Sequence, residues 1–180
     1  MLIKMLLTLV VIVVVFLLVV ALQPSQFRVE RSVTIAAPAR MVFPQVDDLH
    51  RACVWSPWLK MDPNVKTAYD GPPAGVGASS TWAGNNQIGE GRQTIIESRA
   101  NELVRIKLEF FKPMKGVSTA AFALKPDGTQ TTVTWSIYGD KSFASKAFCL
   151  FISHEKMIGG PFEKGLANLK ELVEREVSVQ

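Results

Sequence analysis

The chain has 180 residues, a formal net charge of +4, and charged side chains making up 20% of it. An excess of base this mild and evenly spread excludes a nucleic-acid footprint and fits at most a weak attraction to anionic lipid surfaces. Two cysteines far apart in the chain, Cys53 and Cys149, supply neither a disulfide framework nor a metal set; buried thiols are the simplest reading.

The first segment is not globular. Residues 5–22, "MLLTLVVIVVVFLLVVAL", are 18 residues with Thr8 as the only polar side chain. At about 1.5 Å rise per residue such a helix reaches roughly 27 Å, close to the ~30 Å hydrocarbon core of a bilayer. Lys4 precedes it and Gln23-Pro24-Ser25-Gln26 stops it. One reading is a cleaved secretory signal with Val19-Val20-Ala21 as the cleavage site. Secretory apolar regions run about 7–15 residues, so the length favours an uncleaved anchor. A core helix would carry a polar face. Lys4 argues for a cytoplasmic N-terminus, whereas Arg28, Arg31 and Arg40 argue the other way. The short basic leader resembles a secretory anchor, which implies a single-pass chain with its domain outside the cytoplasm, on the periplasmic side. Residues 1–26 are therefore anchor (or signal) and linker, and residues 27–180 are one domain.

Residues 28–36, "RVERSVTIA", alternate: Val29, Val33 and Ile35 face one way, Glu30, Ser32 and Thr34 the other. That predicts a half-buried strand. Ala37-Pro38 opens a helix, with Met41, Val42, Val46 and Leu49 at helical spacing and Pro44 absorbed early in it. A second short helix, "HRACVWSPW", ends at Pro57. Six strands follow, predicted at 66–70, 78–84, 89–99, 103–111, 116–126 and 130–139. Breaker clusters such as "GPPAGVG", "GNN", "KPMKG" and "KPDGTQ" separate them. Thr131, Val133, Trp135 and Ile137 alternate with Thr132, Thr134, Ser136 and Tyr138, and the short connections predict an antiparallel meander. The C-terminus is helical from a Ser142 cap. Gly159-Gly160-Pro161 is expected to divide it. Phe162, Leu166, Leu169, Leu172 and Val173 then form one apolar stripe, with Gly165 beside it for close approach to the sheet.

Strand, two short helices, six strands and a long amphipathic helix make an α+β layout in which the helix covers a curved sheet. The motifs "RVERSVTIAAP", "WSPW", "GPPAGVGAS", "GEGRQTI" and "MIGGPFEKGLANLKEL" resemble the START-like, helix-grip superfamily, in its SRPBCC branch of polyketide cyclases/dehydrases and lipid-transport proteins. The resemblance covers residues 27–175. It implies a seven-stranded antiparallel sheet wrapped around the C-terminal helix, a cavity between the two, and, in many members, an N-terminal membrane segment. Fold alone does not choose among carriers, receptors and cyclases.

No nucleophile elbow, metal motif or cofactor fingerprint is present, so neither metal nor cofactor is expected. His50 and His154 lack a neighbouring partner in sequence and read as helix-end residues. Glu90 and Arg92 share one strand face; turned inward, the pair would hold a polar head group, and turned outward it is a solvated charge pair. Aromatic side chains make the stronger case for binding. Trp55, Trp58, Trp82, Phe110, Phe122, Trp135, Phe148, Phe151 and Phe162 come from elements that should converge on one interior, where apolar cavities with a few polar groups take small molecules. Within "VWSPWLK", Trp55 reads as a core plug and Trp58 as a rim residue. The expectation is a membrane-anchored binder of a hydrophobic small molecule or lipid. The alternatives are a cyclase/dehydrase-like enzyme and a non-catalytic envelope or interaction protein with a solid core.

Overall fold

A computed structural model describes residues 1–178. An apolar helix, α1 (Leu2–Leu22), comes first and is long enough to cross a membrane. After it come β1 (Gln26–Ile35), two short helices α2 (Ala39–Asp47) and α3 (Leu49–Trp55), and a 3-10 turn (Leu59–Met61). Six strands follow: β2 (Lys66–Asp70), β3 (Ser79–Ala83), β4 (Glu90–Arg99), β5 (Leu103–Lys112), β6 (Gly116–Asp127) and β7 (Gln130–Asp140). Helices α4 (Phe143–Cys149) and α5 (His154–Ser178) close the chain.

The seven strands form one sheet in the order β1-β7-β6-β5-β4-β3-β2, every pair antiparallel. β2 to β7 are the predicted meander. β1 adds to the far side of β7 across ten register pairs, from Gln26 against Asp140 to Ile35 against Thr131. The alternation read from β7 is realised: Thr131, Val133, Trp135 and Ile137 are all buried. Their face looks towards α5, whose buried side is Phe162, Leu166, Leu169 and Val173. Thr131 donates its hydroxyl to the Ala37 carbonyl at 2.8 Å, which fixes the entrance to α2. Local capping follows ordinary chemistry. Asp48 accepts from the amides of His50 and Arg51 at the start of α3, and Ser142 accepts from Ser145 at the start of α4.

One expectation is overturned. Gly159-Gly160-Pro161 does not divide the C-terminal helix; α5 runs through it from His154 to Ser178. The chain breaks earlier, between Cys149 and His154. A residue of β1 bridges the expected break. Arg31 projects from the concave face and binds Glu155 on one side of Pro161 and Glu163 on the other, the latter at 2.7 Å. A side chain at Gly159 would collide with the Arg31 guanidinium. Pro161 removes the bond its own N–H would make and crowds the carbonyl four residues back, yet the helix continues through it, with Arg31 paired to a glutamate on either side.

Gly165 has a different task. A Cβ there would lie 2.7 Å from the Trp135 ring and 3.0 Å from Pro57. Gly160 has no atom within 4 Å of its Cβ position. Gly165→Ala should therefore destabilise the domain by about 1–3 kcal/mol through overpacking, whereas Gly160→Ala should be neutral or stabilising by up to about 1 kcal/mol through helix propensity. Unfolding midpoints of the two variants in the same detergent check the contrast.

Candidate functional site

Four of the predicted aromatic residues meet between the sheet and α5. Trp135 from β7 lies flat on Phe162 of α5, ring centroids 3.9 Å apart and planes 9° apart. Phe122 from β6 stacks on the other neighbour side of Trp135 at 5.0 Å. Trp55, from the last turn of α3, meets Trp135 and Phe122 edge-on at 5.5 and 5.7 Å. Offset-stacked and edge-to-face pairs each contribute about 0.5–1.5 kcal/mol beyond their buried area. The four rings are almost entirely buried and fill the space beneath α5.

The short helices position this cluster. Trp55 donates its indole N–H to the Gln45 carbonyl in α2 at 2.9 Å. Asn168 of α5 donates to the Trp55 carbonyl at 3.0 Å. Pro57, buried, turns the chain against Gly165. Trp135 is the exception in hydrogen bonding: among the described residues its Nε1–H is a buried donor with no acceptor. Buried polar groups in folded proteins are almost always paired.

A second group sits at the margin. Trp58, Trp82 and Phe110 are half-buried. Trp82 and Phe110 lie in one row across β3, β4 and β5 through Gly91, edge-on at 5.8 Å. A Cβ at Gly91 would run into the Trp82 ring. Next to them on the same face, Gln93 donates to Ser80 at 2.8 Å. Asp62 accepts from the amides of Asn64 and Asn85, which ties the loop after Trp58 to the β3–β4 hairpin.

The remaining candidates lie elsewhere. Glu90 pairs with Lys112 at 2.8 Å and Arg92 is exposed. Gly91 and Ile95 take the buried positions on β4, so the Glu90/Arg92 face looks outward. Phe151, 78% exposed in the link between α4 and α5, and Phe148, exposed on α4, do not converge on the interior as expected and lie apart from the aromatic cluster. His50 stacks on Tyr69 at 3.8 Å, and Tyr69 Oη is 2.6 Å from Cys53 Sγ. Burial, and then that thiol contact, push the Tyr69 hydroxyl above its ordinary pKa. This cluster borders an open groove of about 220 Å³ lined by Pro72 and Pro73. A larger open groove, about 390 Å³, runs between β1 and α5 over Val33 and Leu166. Its charged walls are already engaged: Lys170 donates to the Thr34 carbonyl and Glu174 accepts from the Ala36 amide. No group of three or more potential metal-ligating side chains converges among the described residues.

Sequence reasoning missed Arg31 and the orphan donor of Trp135. Arg31 was legible in principle, because Val29, Arg31 and Val33 share one strand face. The orphan depends on what surrounds one atom, and no local pattern reports it.

A family model for polyketide cyclase / dehydrase and lipid transport matches residues 26–174. The chain belongs to this family. A comparison with curated proteins finds no match. Solved structures share the fold at low identity. A Chromobacterium violaceum protein is 16% identical with a TM-score of 0.58, covering 84% of this chain and 99% of its own. One from Mesorhizobium loti is 18% identical at 0.58, covering 83% and 98%. One from Nitrosospira multiformis is 21% identical at 0.59, covering 84% and 99%. The family match thus takes in the whole sheet and most of α5, with the aromatic cluster inside it.

His154 supplies a pH handle at the start of α5. It stacks on Phe27 of β1 at 4.0 Å, and its Nδ1 is 3.2 Å from Cys149 Sγ. Burial, and then the charge of Lys141, hold its pKa below the ordinary 6.5. The unfolded chain therefore binds the extra proton first. Stability is complete above the unfolded pKa and falls as pH drops through it. The unfolding midpoint should decline between about pH 7.5 and pH 5.5, and His154→Gln should flatten that decline relative to the parent chain.

Proposed function

We propose that the domain binds an apolar small molecule or lipid between the sheet and α5, and that α1 anchors it in a membrane. The carrying observation is the buried, unpaired Nε1–H of Trp135 among aromatic rings. A donor without an acceptor in an apolar setting suits a ligand with an apolar body and one polar atom. Phe162 lies flat on Trp135, so a ring shift of Phe162 makes room beside that donor. Burial of ligand surface then contributes roughly 25 cal/mol per Å². The half-buried margin of Trp58, Trp82 and Phe110 is the path inward. The family's lipid-transport members and the apolar α1 support the same reading.

Lys4 before α1 favours an N-terminus in the cytoplasm and a domain on the periplasmic side, whereas Arg28, Arg31 and Arg40 after it favour the reverse; we propose the orientation that Lys4 favours. A C-terminal alkaline phosphatase fusion should then be active; an inactive fusion with an active cytoplasmic reporter at the same point would reverse the orientation.

Native mass spectrometry of the chain purified from its membrane should show a co-purifying apolar molecule. Trp135→Phe removes the donor and shortens the ring, so ligand retention should weaken by at least roughly 2- to 10-fold, the worth of one buried hydrogen bond, alongside a loss of stability from the space left against Gly165. Trp55→Ala should instead cost about 3–5 kcal/mol of stability, and Trp58→Ala should lower retention alone. Absence of bound lipid and of displaceable dye in the parent chain would remove the binding reading.

A further inference from the structure

The end of the sheet from which α1 leaves differs from the rest of the surface. β1 and β7 meet there at Gln26 and Asp140, the β5–β6 hairpin turns there, and α4 and the start of α5 lie there. Outside α1, the exposed phenylalanines among the described residues are Phe111, Phe143, Phe148 and Phe151. Phe111 is on the β5–β6 hairpin and the other three are on or just after α4, so all four sit at this end. Met114 on the hairpin and Ile152 in the link after α4 add to them at this end, each more than 40% exposed. Exposed apolar side chains concentrated at one end of a domain mark an interaction site.

Three observations name its occupant. First, α4 packs against α1, and Val20 of α1 is fully buried. Val20 lies only about 3 Å below the end of the helix at 1.5 Å per residue, so α4 sits level with the last turn of the span. Second, only Gln23, Pro24 and Ser25 separate α1 from β1. Three residues reach at most about 10 Å, which keeps this end of the domain beside the bilayer. Ser25 is itself tied down, accepting from the Lys141 amide through its carbonyl and from Lys146 Nζ through its hydroxyl. Third, Lys115, Lys141 and Lys146 border the phenylalanines, and none of them is in an ion pair among the described residues. Amphipathic segments with lysine and phenylalanine bury their apolar side about 5–10 Å into the headgroup boundary.

We infer that the folded domain makes a second membrane contact besides α1: α4, the link to α5 and the tip of the β5–β6 hairpin lie in the headgroup layer of an anionic bilayer. The contact rests on the anchor reading of α1. It places the Trp82–Phe110 row, which ends at the same hairpin, against the lipid rather than against bulk water.

The test uses the full chain, with Cys53→Ser and Cys149→Ser, in nanodiscs of phosphatidylcholine and phosphatidylglycerol. Single cysteines carrying the fluorophore NBD are placed at Phe16→Cys, Met114→Cys, Phe151→Cys and Asp127→Cys. Asp127 is at the opposite end of the sheet, in the β6–β7 hairpin. Lipid-borne quenchers should reduce emission at 16, 114 and 151 by roughly twofold or more and leave 127 unchanged. Quenching at 16 with 114 and 151 unquenched overturns the second contact and leaves the anchor intact. An unquenched probe at 16 removes the anchor, and the contact with it. Disulfide crosslinking of Phe151→Cys between copies, without lipid quenching, assigns the surface to a second copy of the chain and overturns the proposal.

Discussion

The concave side of the sheet is closed by one close approach, that of Gly165 to Trp135 and Pro57. A twisted antiparallel sheet cannot bury one face by itself, and α5 is the element that covers it. The helix backbone comes within contact distance of an indole on one side and a proline ring on the other. This distance sets the flat stacking of Phe162 on Trp135 and the seat of α3, whose terminal carbonyl is held by Asn168 of the same helix. The "WSPW" turn is therefore part of the helix seat: Trp55 fills the interior, Pro57 meets Gly165, and Trp58 leaves towards the margin.

Tight packing and an unsatisfied donor coexist at one residue. Leaving a buried donor unpaired costs about 1–3 kcal/mol, a cost that an aromatic ring without a donor would not carry. Sequences depart from local consistency most often where function asks for it. The charged candidates behave differently. Glu90 is neutralised by Lys112, and the acidic pair on α5 is held by Arg31. These charges hold elements together around the interior and stay outside it.

Strand positions were legible because side chains alternate with a fixed period. Val29, Ile35, Val133, Trp135 and Ile137 all lie on the face their spacing assigns. The apolar stripe of α5 was legible for the same reason. The continuity of α5 was not. Gly-Gly-Pro is a local breaker, whereas α5 is held across it by tertiary contacts: its buried face on the sheet, and Arg31, more than 120 residues away in the chain, bridging Glu155 and Glu163. Aromatic residues divided in the same way. Residue type put Trp55, Phe122, Trp135, Phe151 and Phe162 into one set, whereas burial depends on neighbours from other elements, and Phe151 has few of them. Glycine positions were legible as breaks or gaps; which ring each gap receives is settled only by strand register, as with Gly91 and Trp82.

The brevity of the link between α1 and β1 has a kinetic side. With α1 in a bilayer, a domain held by Gln23, Pro24 and Ser25 cannot tumble or wander. Under the proposed binding of an apolar solute, the search for it is confined to two dimensions. Uptake then follows how many solute molecules share each patch of lipid, and the dissolved concentration matters little. Such a chain would sample its surroundings by lateral diffusion, and delivery to a different membrane would require that membrane to come within about the width of the domain itself.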